Sequence, residues 1–355
     1  MKFTIKRQVL EKYISNLNSF TEKKDQSAVN SHIYFKIDEQ GLVLKATDNE
    51  IGLEYLVTDV ELKESGEATA HGKNLLDIIK NLKDGEITLS SENDNLHVKQ
   101  NRSQFKIAMQ RASDFPYFPS VENKDKFDIN AGILSQSLKK VEYCIDPNNP
   151  KYEFTGALLD IKENGMNIVA SDGRRLAVYE LNINAGKNIK IIIPKRAITE
   201  IQKLLTQNIE IFYDETILMA SAENFVFFTK LINGTYADYE RLINSNFANK
   251  ITLNRNEIID GIKTVKLLSE DIKISFSKEI INFSTQNQLG EIAQTETETN
   301  LEIAENYDIK VKSKNILDFL GAIESDSFEF NYNDAGMPIM LKSANLRTMI
   351  VQVSK

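Results

Sequence analysis

Two arginines stand side by side in the stretch Ala170-Ser-Asp-Gly-Arg-Arg-Leu-Ala-Val-Tyr-Glu180. Asp172-Gly173 before them reads as a tight hairpin turn, because Gly takes φ > 0 without steric cost. The turn does not itself call for Arg174 and Arg175. A similar stretch, Thr47-Asp48-Asn49-Glu50, has no arginine at all. Residues suited to making or breaking bonds are otherwise sparse. Gly72-Lys73 lacks the rest of a phosphate-binding loop, and no Ser-His-Asp set or nucleophile elbow appears. Asp48, Asp172 and Asp214 sit in turn contexts, where turn chemistry explains them without catalysis. His32, His71 and His97 lie far apart in the sequence, without ligand spacing, and read as strand or surface residues. Cys144 stands alone, which excludes an internal disulfide or a cysteine-rich metal site and suits the cytosol. These residues predict a binding protein with no intrinsic catalysis, metal or cofactor.

The elements that must position the arginines repeat along the chain. Phe3-Thr-Ile-Lys-Arg-Gln-Val-Leu, Phe127-Asp-Ile-Asn-Ala-Gly-Ile-Leu and Ile251-Thr-Leu-Asn-Arg-Asn-Glu-Ile begin 124 residues apart each time. Each opens as a short strand and continues as a helix. The stripes are Leu10, Ile14, Leu17; Leu134, Leu138, Val141; and Ile258, Ile262, Val265. A second amphipathic helix follows in each copy, with a basic residue near its start: Lys73, Arg196 and Lys314. Strands at Glu86–Leu89, Ile209–Phe212 and Phe328–Phe330 come next. Turn signals at Asp38–Gly41, Asp84-Gly85 and Glu163–Gly165 divide short alternating strands, so antiparallel sheet should dominate. The fold class is therefore α+β, in three similar domains at 1–125, 126–247 and 248–355.

Length alone, at 355 residues, already favours two or three domains. No stretch approaches the roughly 20 apolar residues of a membrane span, and the N-terminal residues lack the apolar core of a signal peptide. The net charge of −8 argues against a surface that binds nucleic acid everywhere. Yet the six helical segments 7–17, 72–83, 131–142, 195–205, 255–266 and 312–323 are all positive and together carry +8, leaving −16 for the rest. Helices sharing one surface would make that surface basic and the remainder acidic. Such segregation suits binding of a phosphate backbone without base readout, and no base-reading signature is present.

The whole chain resembles the bacterial DNA polymerase III beta subunit, or sliding clamp, family. The resemblance rests on the MKFTI start, Asp114-Phe-Pro116, Ser171-Asp-Gly-Arg-Arg-Leu-Ala177, Ile193-Pro-Lys195 and Lys230-Leu-Ile-Asn-Gly-Thr-Tyr-Ala-Asp-Tyr239, in order. It implies helices lining a hole, sheets outside, and a head-to-tail homodimeric ring of six domains around double-stranded DNA. It implies a cytoplasmic processivity factor that tethers the replicative polymerase's catalytic subunit and is opened by an ATP-dependent clamp loader. Other polymerases and repair proteins with short clamp-binding motifs are further partners, and a membrane is not.

By position, the resemblance nominates Lys24, Lys73, Lys195, Arg196 and Lys314 as DNA-facing. Asn148, Lys151 and Tyr152 join them from the loop Asp146–Tyr152. It places the arginine hairpin at the edge of a cleft for partner peptides, formed by Phe154, Ser171, Gly173, Arg174, Arg175, Leu176, Ala237, Arg241, Leu242, Met349 and Val351. There the arginine stems would wall the pocket while their heads stay wet. Phe105 and Ile107 would meet Leu267 and Leu268 of a second chain. Arg174 stands where the family often has histidine, Ala237 where proline is frequent, and the tail Ile350–Lys355 lacks the common Met-Pro-type ending.

Overall fold

The computed structural model describes residues 1–127, 129–183, 188–205 and 209–353. Asp128, within the second repeat's opening strand, and the last two residues of the tail lie outside the described residues. Contacts group the chain into two compact units, Met1–Ala131 with Thr206–Leu231, and Gly132–Leu205 with Ile232–Lys355.

In the first unit α1 (Arg7–Leu17) packs against α2 (Gly72–Asn81). The spacing of Leu10, Ile14 and Leu17 puts them on one face of α1, and all three are fully buried. Leu75, Leu76 and Ile79 do the same for α2. A five-stranded sheet runs in the order Glu61–Glu64, Lys2–Lys6, Glu86–Glu92, Asn95–Gln100, Ser103–Ala108. An eight-stranded sheet runs Asp125–Phe127, Glu210–Tyr213, Ile217–Ala222, Phe225–Lys230, Ile51–Val57, Gly41–Thr47, His32–Asp38, Gly66–His71. Its midline is the pairing of Phe225–Lys230 with Ile51–Val57, so strands from either side of residue 125 complete one sheet.

The second unit repeats the plan. Its helices are α3 (Ala131–Val141), α4 (Lys195–Leu204), α5 (Tyr239–Ile243), α6 (Arg255–Val265) and α7 (Ser313–Ala322). The stripes Leu134, Leu138, Val141 and Ile258, Ile262, Val265 are buried. A Cβ on Gly261 would lie 2.3 Å from the Phe283 ring, so glycine lets α6 approach the strand Ile280–Gln286. Eight strands run Ile189–Pro194, Gly156–Lys162, Gly165–Ser171, Arg175–Leu181, Leu346–Ile350, Ile339–Ser343, Ser327–Tyr332, Asn249–Asn254. Four more run Ile292–Glu298, Ile280–Gln286, Asp271–Phe276, Tyr307–Lys312. Every pairing between described strands is antiparallel, as the turn spacing predicts. Among the described residues no helix is long and apolar enough to cross a membrane.

Helix α5 has no counterpart in the sequence reading, because five residues are too few for a 3.6-residue period. It forms because Asp238 caps it, accepting from the Arg241 backbone N–H, and because Tyr239 and Ile243 are buried. The histidines are strand residues as read, but the fold brings two together. His32 and His71 are cross-strand partners, with ring centres 5.9 Å apart. No group of three or more metal-ligating side chains occurs among the described residues.

Candidate functional site

The arginine hairpin is a turn whose backbone is fixed by its own side chains. Gly173 has φ +86°, the left-handed conformation that glycine tolerates. The Ser171 hydroxyl donates to the Arg175 carbonyl at 2.7 Å and accepts from the Gly173 N–H at 3.1 Å. Asp172 Oδ1 accepts from the backbone N–H groups of Arg174 and Arg175, at 2.9 and 2.7 Å. The first repeat builds the same turn. Thr47 donates to the Ile51 carbonyl, Asn49 has φ +76°, and Asp48 accepts from Glu50 and Ile51. Arg174 and Arg175 therefore occupy the places of Glu50 and Ile51, and the turn requires neither.

The expected pair of wet arginine heads is split. Arg174 is exposed, whereas Arg175 is only 7% exposed and each of its three guanidinium nitrogens donates a hydrogen bond. Its Nε donates to Asp172 Oδ2 at 2.9 Å, one terminal nitrogen to Asp318 Oδ2 at 2.7 Å, and the other to the Tyr143 carbonyl at 2.7 Å. The reason is positional, since the equivalent Ile51 is 2% exposed. The fold buries this position, and a charge placed there must be paired. Arg175 thus ties the hairpin to α7 and to Tyr143, in the short turn of helix Glu142–Cys144 that leads to the loop at 146–152. Asp318 and Tyr143 had no signal in the sequence, because only the fold brings them to the turn. Beside them the Cys144 thiol is fully buried, and burial pushes its pKa far above the usual range.

The strand that starts at Arg175 pairs with the strand that ends at Ile350, so Leu176 lies opposite Met349. Both belong to one buried apolar cluster with Val178, Ile243, Ile232 and Met340, against which Tyr236 and Phe247 pack. Phe154 is buried with its ring centre 5.3 Å from that of Tyr236. Leu242 and Val351 are apolar yet 47% exposed, and Gly173, Ala237 and Arg241 are exposed. Of the cleft residues read from the sequence, Leu176 and Met349 share the cluster, and Phe154 joins it through Tyr236. Ser171 is buried in the turn, and the Val351 N–H donates to the Arg174 carbonyl at 2.9 Å.

A cavity of about 560 Å³ lies on the loop side of the hairpin. It is lined by Arg174, Lys195, Lys314, Asp146, Asp172 and Asp318, with Tyr143, Ile145, Pro147 and Arg175. The loop of residues 146–152 is pinned to the turn, as Asn149 Nδ2 donates to the Asp172 carbonyl at 3.0 Å. Asn148 and Tyr152 are exposed, and Lys151 Nζ stands 5.4 Å above the Phe154 ring. Lys195 donates to the Ile145 carbonyl at 3.0 Å. Lys24, Lys73, Arg196 and Lys314 are exposed. Lys73, Lys195, Arg196 and Lys314 occupy the first turns of α2, α4 and α7, and none of these turns holds an acid. Basic residues there oppose the helix dipole, so they weaken the helix while strengthening its attraction for anions.

Phe105, half-buried, and Ile107, 7% exposed, lie on Ser103–Ala108, the last strand of its sheet. Leu267, 83% exposed, and Leu268 follow α6, which packs beside Ile292–Glu298, the last strand of the four-stranded sheet. That second edge was not read from the sequence, although its run of alternating Thr and Glu carries the two-residue period of a strand.

Three family models cover nearly the whole chain: the N-terminal domain of the DNA polymerase III beta subunit at residues 1–119, its central domain at 128–238 and its C-terminal domain at 240–353. A protein named beta sliding clamp from Helicobacter pylori strain J99 is 33% identical over 96% of this chain and 94% of its own length. One from Pseudomonas aeruginosa is 26% identical over 97% of this chain and 96% of its own. The crystal structure of the H. pylori beta clamp bound to a DNA ligase peptide matches with a TM-score of 0.93 at 32% identity, covering all of both chains.

Proposed function

The chain belongs to the family of the DNA polymerase III beta subunit, the beta sliding clamps, and from that premise we propose how its geometry serves DNA replication. It is a non-catalytic processivity factor that holds polymerase and other clamp-binding proteins on duplex DNA. We propose that it closes as a head-to-tail homodimer of three domains per chain, 1–125, 126–247 and 248–355.

The observation that carries this reading is a count of strands. Each eight-stranded sheet joins four strands from one repeat to four from the next. Two part-sheets remain, ending at Ser103–Ala108 and at Ile292–Glu298. An open edge of N–H and C=O groups invites another strand, and pairing these two edges across chains gives a third junction of the same kind. The edges are opposite in charge. Residues 101–111 carry Arg102, Lys106 and Arg111 without an acid, and residues 290–300 carry Glu291, Glu296 and Glu298 without a base. Phe105, Ile107, Leu267 and Leu268 supply the apolar part of that contact.

Duplex DNA passes the basic residues Lys24, Lys73, Lys195, Arg196 and Lys314 and the loop residues Asn148, Lys151 and Tyr152. Contacts to phosphate alone leave the ring free to slide, while topology retains it. Partner peptides dock where Leu176 and Met349 meet, beside Phe154, Ser171, Gly173, Ala237, Arg241, Leu242 and Val351. Arg175 supports this cleft from beneath. An apolar anchor buried there contributes about 1.5–3 kcal/mol. No nucleotide-binding loop is read in the sequence, so an ATP-using loader opens the ring. The protein acts in the cytoplasm, where bacterial chromosomal DNA lies.

The test is topological. Loaded with its clamp loader onto a nicked circular plasmid, the protein should co-elute with the circle through a sizing column at high salt and be released when the circle is cut. Equal retention on circular and linear DNA sinks the ring and leaves a peptide-binding scaffold.

A further inference from the structure

Arg174 was grouped with the peptide cleft by its place in the hairpin, but its surroundings direct it elsewhere. Its backbone is held rigidly, with the N–H donating to Asp172 Oδ1 at 2.9 Å and the carbonyl accepting from Val351 at 2.9 Å. The residue lines the cavity that also holds Lys195, Lys314 and the start of the loop at 146–152. Three carboxylates share this cavity, and each is already engaged. Asp172 serves the turn and the Arg175 guanidinium, Asp318 binds Arg175, and Asp146 Oδ1 accepts from the Asn148 N–H. Among the described residues no carboxylate forms an ion pair with Arg174, Lys195 or Lys314. Three cations thus face one space in which two of the three carboxylates are paired with Arg175 and only Asp146, among the described residues, has no cationic partner. The first repeat gives the contrast, since Glu50 occupies the Arg174 place and pairs with Lys230 at 3.0 Å. The second repeat reverses the charge, and among the described residues no carboxylate pairs with it.

We infer that Arg174 contacts the phosphodiester backbone of duplex DNA, together with Lys195 and Lys314 across their shared cavity. This rests on the clamp reading. It divides the hairpin by residue: Leu176 faces the apolar cluster, Arg175 is structural, and Arg174 serves DNA. A guanidinium suits that task, because its fork can bind two phosphate oxygens at once.

The experiment titrates the full-length protein into a short fluorescent linear duplex, which a ring can thread from its ends, between 50 and 200 mM salt. A second titration uses the DNA ligase peptide seen on the H. pylori clamp. Losing one phosphate contact lowers the slope of log K against log salt by about 0.9. Arg174→Gln should show that loss and bind duplex several-fold more weakly at 50 mM salt, with peptide affinity changed less than twofold. Lys195→Gln and Lys314→Gln are the controls. If they lower the slope and Arg174→Gln does not, the clamp reading stands and this inference falls. Weaker peptide binding with an unchanged slope overturns it in favour of the cleft. A wild-type protein without salt-dependent duplex binding overturns the DNA-facing assignment and this inference together.

Discussion

At position 175 a buried arginine replaces the isoleucine of the first repeat, and the surrounding structure accommodates the charge with two carboxylates and a carbonyl. Arg175→Ala would leave Asp172 and Asp318 facing each other across a void. Both are about a fifth exposed, so the loss belongs at the low end for a broken buried pair, about 3 kcal/mol in a urea unfolding measurement. The double variant Arg175→Ile with Asp318→Ala takes the first repeat's residue at 175, removes the carboxylate left without its partner and should recover part of that loss. A double variant no more stable than Arg175→Ala would mean that packing, not charge, sets the cost. The sequence made the pair visible as an anomaly, since the turn occurs elsewhere without it. It could not distinguish a buried arginine from an exposed one, because Asp318 lies 143 residues away and only the folded sheet brings it near.

Helices with three-point apolar stripes were legible at the scale of elements, and the six segments read from the sequence lie within two residues of α1, α2, α3, α4, α6 and α7. Edges and short pieces were not, because their identity depends on what fails to pair with them. The strands His32–Asp38 and Gly66–His71 carry a testable consequence. His32 is 5% exposed, and burial first, then the nearby His71, holds its pKa at about 4, below the ordinary 6.5. His71 is lowered as well, by burial and then by Lys23 and Lys73. Both rings are preferred neutral in the folded state, so unfolding takes up protons. Their stabilising contribution is complete above about pH 6.5 and is lost as pH falls towards 4. For His32 that amounts to about 2–3 kcal/mol. Urea midpoints measured between pH 7 and 4 should fall steeply in the wild type and less in His32→Asn. Parallel curves would show that the pair does not titrate as described.

For the molecule as a whole, the first measurement is solution mass. The chain is 40.3 kDa, and light scattering at micromolar concentration should find a species near twice that mass. Replacing Leu267 and Leu268 together with Asp puts two acids beside an edge already rich in Glu, and the species should then become monomeric with unchanged circular dichroism. A variant that stays dimeric removes these residues from the contact. A strict wild-type monomer would favour the scaffold reading over the ring. The charge pattern adds a sign: the dimer should loosen with salt, since its two edges are oppositely charged.

The hairpin stands where two half-sheets meet, because the strand Arg175–Leu181 is the last of one set of four and Leu346–Ile350 the first of the other. The proposed docking cleft is therefore not carried by either half alone. Tension that parts those two strands pulls Leu176 from Met349 and takes the partner's footing away in the same movement. If partners dock there as proposed, a clamp torn at that joint would lose its hold on its cargo as the joint opens.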